Sequence, residues 1–312
     1  MIPDEAPPLH SRASGAPCAR ILSNGTLTTL LTAAGTGFTN FEWRRVTSWT
    51  PDPVEDRDGV FLYLRDEDDG AAWSIGLEPI AGAPDGYEVT AGPGRMCIER
   101  SENGIEAECE IVVAADVDAD LRRLRLRNSG PRARRLSVTS YAGLVLFHPG
   151  GHAGHPAFSK LFVQTSVDPG AGVLLARRRP RGEAPEPLHL AHALLGPGAA
   201  SFETDRARFV GRGASLARPT ALEPGASLSG AVGNVLDPIV SWRRWIELAP
   251  GARQQRLQIL EQRRHHQLEA VAARQVEQRA PQLFDAPRLR GQHVGNVLGQ
   301  QPSRGHENER AG

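Results

Sequence analysis

Short apolar runs separated by turn residues recur along most of this 312-residue chain. The stretches 59–64, 109–113, 121–127 and 136–141 are rich in Val, Ile, Leu and aromatic residues, as β-strands are. No helical spacing longer than about two turns is found before residue 250. The pattern therefore predicts an all-β fold, a large antiparallel β-supersandwich over residues 20–251, after a flexible lead-in at 1–19.

Two local patterns sharpen this prediction. In 121–127, period two puts Leu124 and Leu126 on one strand face with Arg122. Leu121 shares the other face with Arg123 and Arg125, so the alternation is imperfect and a partly exposed strand is expected. The acidic stretch 66–70 ends in Gly and lies between two apolar runs, which favours a hairpin connection. A calcium loop is the sharper interpretation of its acids, but the distal glutamate of an EF-hand is absent.

The composition changes at about residue 252. Gln164 is the only glutamine before that point, whereas residues 253–312 contain eleven. Propensity favours a polar helix over 253–282, with a thin apolar face. Residues 252–312 are either a low-complexity tail or, as we favour, the product of a frameshift in a GC-rich gene, because the strand and turn at 245–251 lack a continuation.

Charge and motifs exclude several classes of partner. Thirty-six basic residues balance thirty-six acidic ones, so no global field attracts nucleic acid or an anionic membrane, and the arginine run at 177–181 is expected to be a solvated turn. There is no signal peptide, no apolar run of membrane-spanning length and no CxxC spacing, which favours a cytoplasmic domain. We find no phosphate or dinucleotide motif and expect no cofactor.

Aromatic and acidic residues at 43–73 are the candidates for sugar binding. Sugars stack on aromatic rings and pair their hydroxyls with charged side chains, so Trp43, Trp49 and Trp73 with Asp52, Asp56 and Arg57 could form such a site. The alternative for each tryptophan is a place in the core.

Two further constellations have simpler interpretations. His148, His152 and His155 lie in one glycine-rich loop, but their spacing is unlike zinc patterns, so we expect no metal. Glu106, Glu108 and Glu110 could supply a pair of catalytic carboxylates, yet period two puts all three on one strand face, as in a solvated strand.

Lys160 is the only lysine of the chain, within His155-Pro-Ala-Phe-Ser-Lys-Leu-Phe162. Every other basic side chain with a permanent charge is arginine, so most arginines reflect compositional bias. An ammonium is a compact donor, whereas a guanidinium is a planar group with several donors. A tight loop or a sugar contact can therefore accept one and not the other. A solvated lysine without a role is the alternative.

Seven blocks in order resemble one family: 22–25, 34–38, 61–66, 138–142, 155–162, 202–213 and 235–239. They are similar to the β-supersandwich domain of cyclic β-1,2-glucan synthases, which is related to the N-terminal domain of glycoside hydrolase family 94 phosphorylases, the glycosyltransferase 36 family. In that family an (α/α)6 barrel follows the sandwich and holds the catalytic acid and the phosphate site.

The resemblance implies a carbohydrate-binding and assembly domain without the chemistry. Its expected partners are a β-glucan or oligosaccharide, weakly bound, and an (α/α)6 barrel domain or chain. Without the barrel, the sandwich would expose the apolar surface that faces it, and a homodimer could cover that surface instead. The parent enzyme is expected at the inner membrane. A docking module for a separate chain and an autonomous β-glucan-active enzyme are the other hypotheses.

Few individual residues carry over from the family. In the loop 47–56, Trp49, Asp52 and Asp56 match the family stretch, whereas Ser48 and Thr50 replace its arginines. The predicted carbohydrate contacts are, as a set, Trp49, Asp52, Asp56, Trp73, His155 and Lys160. No catalytic residue is predicted.

Overall fold

Two antiparallel sheets build the fold, as seen in a computed structural model that describes residues 19–50, 52, 54, 56–180, 188–263 and 284, with the backbone alone for 255–263. Seventeen strands lie within these residues, and every pairing between them is antiparallel. The predicted all-β class is therefore confirmed. The lead-in 1–18 lies outside the described residues.

Nine strands form the first sheet, in the order β1-β2-β3-β4-β11-β16-β15, with β5 paired to β11 and β6 to β5. Their bounds are β1 Ala19–Ser23, β2 Leu27–Thr32, β3 Gly37–Phe41, β4 Arg44–Thr47, β5 Val60–Asp66, β6 Ala72–Ser74, β11 Arg134–Phe147, β15 Ala200–Asp205 and β16 Pro238–Leu248.

Eight strands form the second sheet, in the order β12-β13-β14-β17-β10-β9-β8-β7. Their bounds are β7 Gly86–Gly92, β8 Arg95–Glu102, β9 Ile105–Val113, β10 Ala119–Asn128, β12 Val163–Asp168, β13 Val173–Arg178, β14 His189–Leu195 and β17 Arg253–Arg263. The helical elements are α1 Pro149–Gly154, α2 Pro156–Lys160, α3 Arg206–Val210 and a 3-10 turn at Thr220–Leu222.

The main core lies between the two sheets. Leu64 and Trp73 from the first sheet and Ile111 and Leu124 from the second belong to one cluster, each at most 1% exposed. Removing such apolar surface from water stabilises by about 25 cal/mol per Å². A second core cluster, which is rich in aromatic residues, lies on the first sheet and includes Tyr63 and residues of α3.

The strand faces follow the predicted alternation. Leu124 and Leu126 are in the core between the sheets, while Arg123 and Arg125 make ion pairs with glutamates of β9. Leu121 contributes to a separate apolar cluster, which Phe284 contacts.

The predicted hairpin at 66–70 is also confirmed. β5 ends at Asp66 and pairs with β6, and Gly70 takes the left-handed φ of 81° that a turn of this kind requires. The turn acids bind arginines: Asp66 contacts Arg134, and Asp68 accepts a hydrogen bond from Arg135 at 2.8 Å.

The predicted polar helix is wrong for residues 253–263. The chain turns at Gly251, with φ 71°, and continues as β17, which pairs along nine residues with β10 and along seven with β14. Pairing on both sides satisfies the backbone of this strand, and that tertiary gain outweighs the local helix propensity. The strand and turn at 245–251 thus have a continuation, which removes the argument for a frameshift at residue 251. Residues 264–312, apart from Phe284, lie outside the described residues, and a frameshift within them remains a hypothesis.

The central place of β17 can be tested at Gln258, whose neighbours are Arg122 of β10 and Leu194 of β14. We expect Gln258→Pro to lower the free energy of unfolding by about 1–3 kcal/mol, because proline removes a ladder donor and leaves an acceptor unpaired. Gln258→Ala is the matched control, and urea unfolding is the measurement. Equal midpoints for the two variants would contradict a central β17.

Candidate functional site

The turn between β3 and β4 presents an exposed aromatic ring. Glu42 takes a φ of 55° there, and the next residue, Trp43, is 53% exposed. The Trp43 ring lies 5.6 Å from the ring of His148, the residue that precedes α1. The turn and the helices are therefore neighbours on one side of the molecule.

Trp49 is half-buried against two neighbours. Its ring centroid is 4.9 Å from that of Phe38. The Arg45 guanidinium carbon lies 3.7 Å from the Phe38 centroid and 5.1 Å from that of Trp49. Trp49 thus forms part of a cation–π group, a role that the sequence pattern did not suggest.

The two predicted aspartates shape the loop after β4. Asp52 Oδ1 accepts a hydrogen bond from the Val54 backbone at 2.9 Å, as in an Asx turn. Asp56 Oδ2 accepts from Thr36 Oγ1 at 2.7 Å, and its backbone N–H donates to the Asp52 carbonyl at 3.0 Å. These contacts fix the loop against the turn that follows β2.

Trp73 is separated from the other predicted contacts. It is 1% exposed within the core between the sheets. Its ring therefore offers no face to a ligand, and we leave it out of the functional proposal.

Two short helices, α1 and α2, follow β11 and carry the remaining candidates. His155 is exposed at the junction between them. Lys160, at the end of α2, donates from Nζ to Asp237 Oδ1 at 2.6 Å and is 16% exposed. The single lysine is thus held in an ion pair, and Arg206 Nη1 lies 3.6 Å from the second oxygen of Asp237.

The expectation of a solvated turn at 177–181 is wrong for Arg177 and Arg178, which end β13, and Arg178 contacts the helices from there. Its guanidinium carbon lies 3.8 Å from the Phe147 ring centroid, and its Nη1 donates to the Ser159 carbonyl at 2.7 Å. Ser159 Oγ in turn is 2.8 Å from His152 Nδ1. Both helices are therefore fixed to the sheet beneath them.

The charges on this side are mainly positive. Burial lowers the pKa of His152 below 6.5, and the neighbouring charges of Lys160, Arg178 and Arg45 add to the effect. Burial also lowers the pKa of Arg45 to about 10, although Asp58 opposes it. Arg45 Nη1 is buried and has no hydrogen-bond partner among the described residues.

We call this side the helix-pair face. It is defined by exposed apolar side chains around α1 and α2: Trp43 (53%), Phe158 (51%), Leu161 (38%) and Leu236 (77%). Leu236 joins the group because its neighbour Asp237 binds Lys160. The structure therefore brings Trp49, His155 and Lys160 to one side of the molecule, but it does not bring Trp73 there.

Comparison with known proteins identifies the family. Residues 9–278 match the model of the glycosyl hydrolase 94 supersandwich domain. The chain belongs to this family. The two sheets described above are accordingly a supersandwich domain.

The relatives of this supersandwich domain are much longer proteins. Over 236 residues, 74% of the chain, it is 39% identical to the cyclic beta-(1,2)-glucan synthase NdvB of Rhizobium meliloti (strain 1021), of which it covers 8%. Over 119 residues, 37% of the chain, it is 32% identical to the N,N'-diacetylchitobiose phosphorylase of Vibrio proteolyticus, of which it covers 15%.

A solved structure shares the fold. A bacterial glucoamylase complexed with acarbose aligns with a TM-score of 0.51 at 8% sequence identity, covering 90% of this chain and 39% of that chain. At this identity the likeness concerns the fold alone.

The three glutamates of β9 share a strand face in the supersandwich domain, as predicted, and each is paired, but the expected solvation is wrong for Glu110, which is 5% exposed. Glu106 lies 3.1 Å from Arg127, Glu108 binds Arg125, and Glu110 binds Arg123. The ladder neutralises the carboxylates across β9 and β10. It therefore stabilises the sheet and leaves no unpaired acid among these three.

A serine and a histidine meet inside the core. Ser140 Oγ is 2.9 Å from His192 Nε2, a distance that a nucleophile and its base would show. Both residues are 0% exposed, and Ser140 Oγ also accepts from the Trp242 backbone at 2.9 Å. The pair links the sheets and cannot reach a substrate.

One cleft was not anticipated from the sequence. It has a volume of about 490 Å³ and lies where β11 begins and β16 ends, with Trp245 in its wall. From the sequence alone, Trp245 is interpreted only as a strand residue that precedes the change in composition at about residue 252. The glycine turn at 196–198, which packs against it, is the signal that could have drawn attention to the site.

The described ranges lack two further kinds of site. They contain no group of three or more His, Cys, Asp and Glu side chains arranged to hold a metal ion. None of their helices has the length and apolarity that a membrane span requires.

The lowered pKa of His152 predicts how stability depends on pH. The folded protein resists protonation there, whereas the unfolded chain takes up the proton near pH 6.5. Stability due to this group is therefore lost as pH falls below about 6.5. We expect His152→Gln to reduce the loss of unfolding free energy between pH 7.5 and 5.5, measured by urea unfolding.

The matched control for this experiment is His155→Gln, since His155 is exposed three residues away. This variant should keep the pH dependence of the unmodified protein. An unchanged slope in His152→Gln would show that burial of the imidazole does not set this dependence.

Proposed function

We propose that this domain is a non-catalytic, carbohydrate-associated unit of an enzyme like the cyclic β-1,2-glucan synthases or the glycoside phosphorylases, and that it docks on an (α/α)6 catalytic domain. Family membership supports the first part. The share of the relatives that the chain covers, 8% and 15%, leaves most of their length for other domains.

The observation that carries the docking proposal is the helix-pair face. Phe158 of α2 and Leu161, the residue that follows α2, are exposed, as is Trp43, whose ring lies 5.6 Å from that of His148 just before α1, and large exposed apolar groups on one side of a protein are typical of interfaces. The cations Arg45 and Lys160 adjoin them, both close enough to act on His152, so a docked surface that carries acceptor groups would complement this face.

Only some of the predicted sugar contacts remain sugar contacts in this proposal. Trp49, His155 and Lys160 adjoin the helix-pair face, where a glycan held by the catalytic domain would reach them. Asp52 and Asp56 are engaged in the loop, with Asp56 bound to Thr36, so we assign them a positioning role. Binding of free β-glucan at this face is expected to be weak.

The isolated chain is expected to have no turnover. The carboxylates of Glu106, Glu108 and Glu110 are bound by arginines, which removes the acid–base pair that an autonomous glycosidase needs. Incubation with β-1,2-glucan, with and without inorganic phosphate, should release neither sugar nor sugar phosphate. Release that disappears in Glu110→Gln would instead support the hypothesis of an autonomous enzyme.

A chimera tests docking directly. The matching 236 residues of this chain replace the corresponding segment of the Rhizobium meliloti glucan synthase, and glucan formation is measured. We expect the chimera to be active. The double substitution Phe158→Asp and Leu161→Asp should lower its activity by about tenfold or more, because it places charges in the buried interface.

Ile21→Asp provides the matched control, because Ile21 is 50% exposed on β1 at the sheet edge, away from the helices. This variant should leave glucan formation within about twofold of the parent chimera. Equal losses in both variants, or no loss in the double variant, would count against docking through the helix-pair face.

A further inference from the structure

We infer that the cleft beside Trp245 is a saccharide-binding site, separate from the helix-pair face. The chemical class of the ligand rests on the proposed carbohydrate-associated function, whereas the location of the site rests on the structure alone. The volume of about 490 Å³ lies in the range of pockets that take small ligands.

Residues from five segments meet in this cleft. They come from the end of β5, the start of β11, the turn before β15, the end of β16 and the start of β17, and the ones that matter here are Glu67, Arg135, Gly198, Trp245, Glu247 and Gln254. Strand ends from both sheets therefore build the site.

Two acceptor atoms in these walls lack a partner. Glu67 Oε2 accepts from Arg65 Nη1 at 2.5 Å, but Oε1 is buried and unpaired among the described residues. The Gln254 amide donates from Nε2 to the Glu247 carbonyl at 3.0 Å, and its Oε1 is likewise buried without a partner. Buried acceptors are ordinarily paired, so two in one cleft favour a ligand that brings donors.

Each of these side chains must turn slightly to present its unpaired oxygen to a ligand. The last torsion of Glu and Gln is broad and roughly two-fold, so such a rotation is allowed, and it strains the bonds to Arg65 and to the Glu247 carbonyl, which the ligand contact must outweigh. A hydroxyl group fits best, because it donates to the carboxylate or amide and still accepts from another donor.

Trp245 supplies the surface on which a sugar ring can stack. It is half-buried in the cleft wall, and the Arg243 guanidinium carbon lies 6.0 Å from its ring. The adjacent turn is fitted to its backbone: Gly198 has a φ of 102°, and a Cβ there would lie 2.4 Å from the Trp245 carbonyl oxygen. Only glycine lets the turn close this side of the cleft.

The charges of the cleft favour a neutral ligand. Glu67 is paired with Arg65, and Arg135, the cation among the lining residues, is paired with Asp68 at 2.8 Å. A phosphate or a nucleotide would therefore meet no unpaired cation among the described residues of these walls, and it would lie near the Glu247 carboxylate, whereas a sugar carries no charge to balance. An aromatic ring with adjacent carboxylate and amide acceptors matches the face and the hydroxyls of a hexose.

The cleft is distant from the helix-pair face. Arg135 lies near the start of β11, and Phe147 at its other end contacts Arg178, which binds the helices. The strand between them is twelve residues long with one irregularity near Leu146, so they lie at most roughly 40 Å apart and at opposite ends of β11. The two surfaces can therefore be tested independently.

The experiment is a titration of the full chain with sophorose, the β-1,2-linked glucose disaccharide, followed by calorimetry and by ligand-observed NMR. We expect saturable binding to the unmodified protein. Trp245→Ala should weaken it by about tenfold or more, and Trp245→Phe, which keeps a ring, should restore part of the affinity. Glu67→Gln should weaken binding without abolishing it.

Ile21→Ala, at an exposed position on β1, is the matched control, and Trp43→Ala tests the helix-pair face as the other possible location of binding. Urea midpoints establish that each variant is folded. Loss of binding in Trp43→Ala but not in Trp245→Ala, or no binding by any folded protein, would overturn the cleft assignment. Neither result would affect the docking proposal, which is decided by glucan formation in the chimera.

Discussion

The apolar layer between the two sheets is the constraint on which the rest of the structure depends. Each sheet buries one face against the other, so neither face is stable in water alone. The layer is complete only if both sheets are continuous. β17 provides that continuity in the second sheet, because it joins β14 to β10 and thereby connects the three strands β12–β14 to the four strands β7–β10. The functional surfaces are arranged on this frame, since β11 runs from the Trp245 cleft to the helices.

Polar groups inside the layer fix how the sheets are placed on each other. Trp242 Nε1 of the first sheet donates to the His192 carbonyl of the second at 3.2 Å, next to the Ser140–His192 contact. Arg122 of the second sheet donates to the Val60 carbonyl of the first at 2.6 Å and is neutralised by Asp120. An unpaired buried polar group costs about 1–3 kcal/mol, so a shifted arrangement would lose several such bonds together. Apolar contacts alone are less selective, because they depend little on direction.

The fold class could be predicted from the sequence because the alternation of apolar and polar residues in a strand is a local signal. The faces of 121–127 and the hairpin after Asp66 follow from period two and from turn chemistry, and both are confirmed. β17 was missed because its residues favour a helix locally, and its strand conformation comes from pairing with β10 and β14, far apart in sequence.

The candidate site was harder to predict because exposure is a tertiary property. Trp49 and Trp73 look equivalent in sequence, yet one lies in a surface cation–π group and the other in the core. The cleft beside Trp245 could not be predicted from spacing. Its walls come from five segments, and the unpaired state of Glu67 Oε1 depends on how Arg65 holds the other oxygen.

The surroundings of the single lysine explain why an ammonium suits this position. Asp237 is shared: Lys160 Nζ binds one carboxylate oxygen, and Arg206 lies 3.6 Å from the other. A guanidinium at position 160 would favour two parallel bonds to the same carboxylate and compete with Arg206 for its second oxygen. An ammonium is a point donor that needs only one oxygen, so both cations can be held by one aspartate. Because Arg206 begins α3 and Lys160 ends α2, this shared carboxylate ties both helices to the start of β16. The lysine thus has a geometric role in the supersandwich whether or not a sugar ever contacts it.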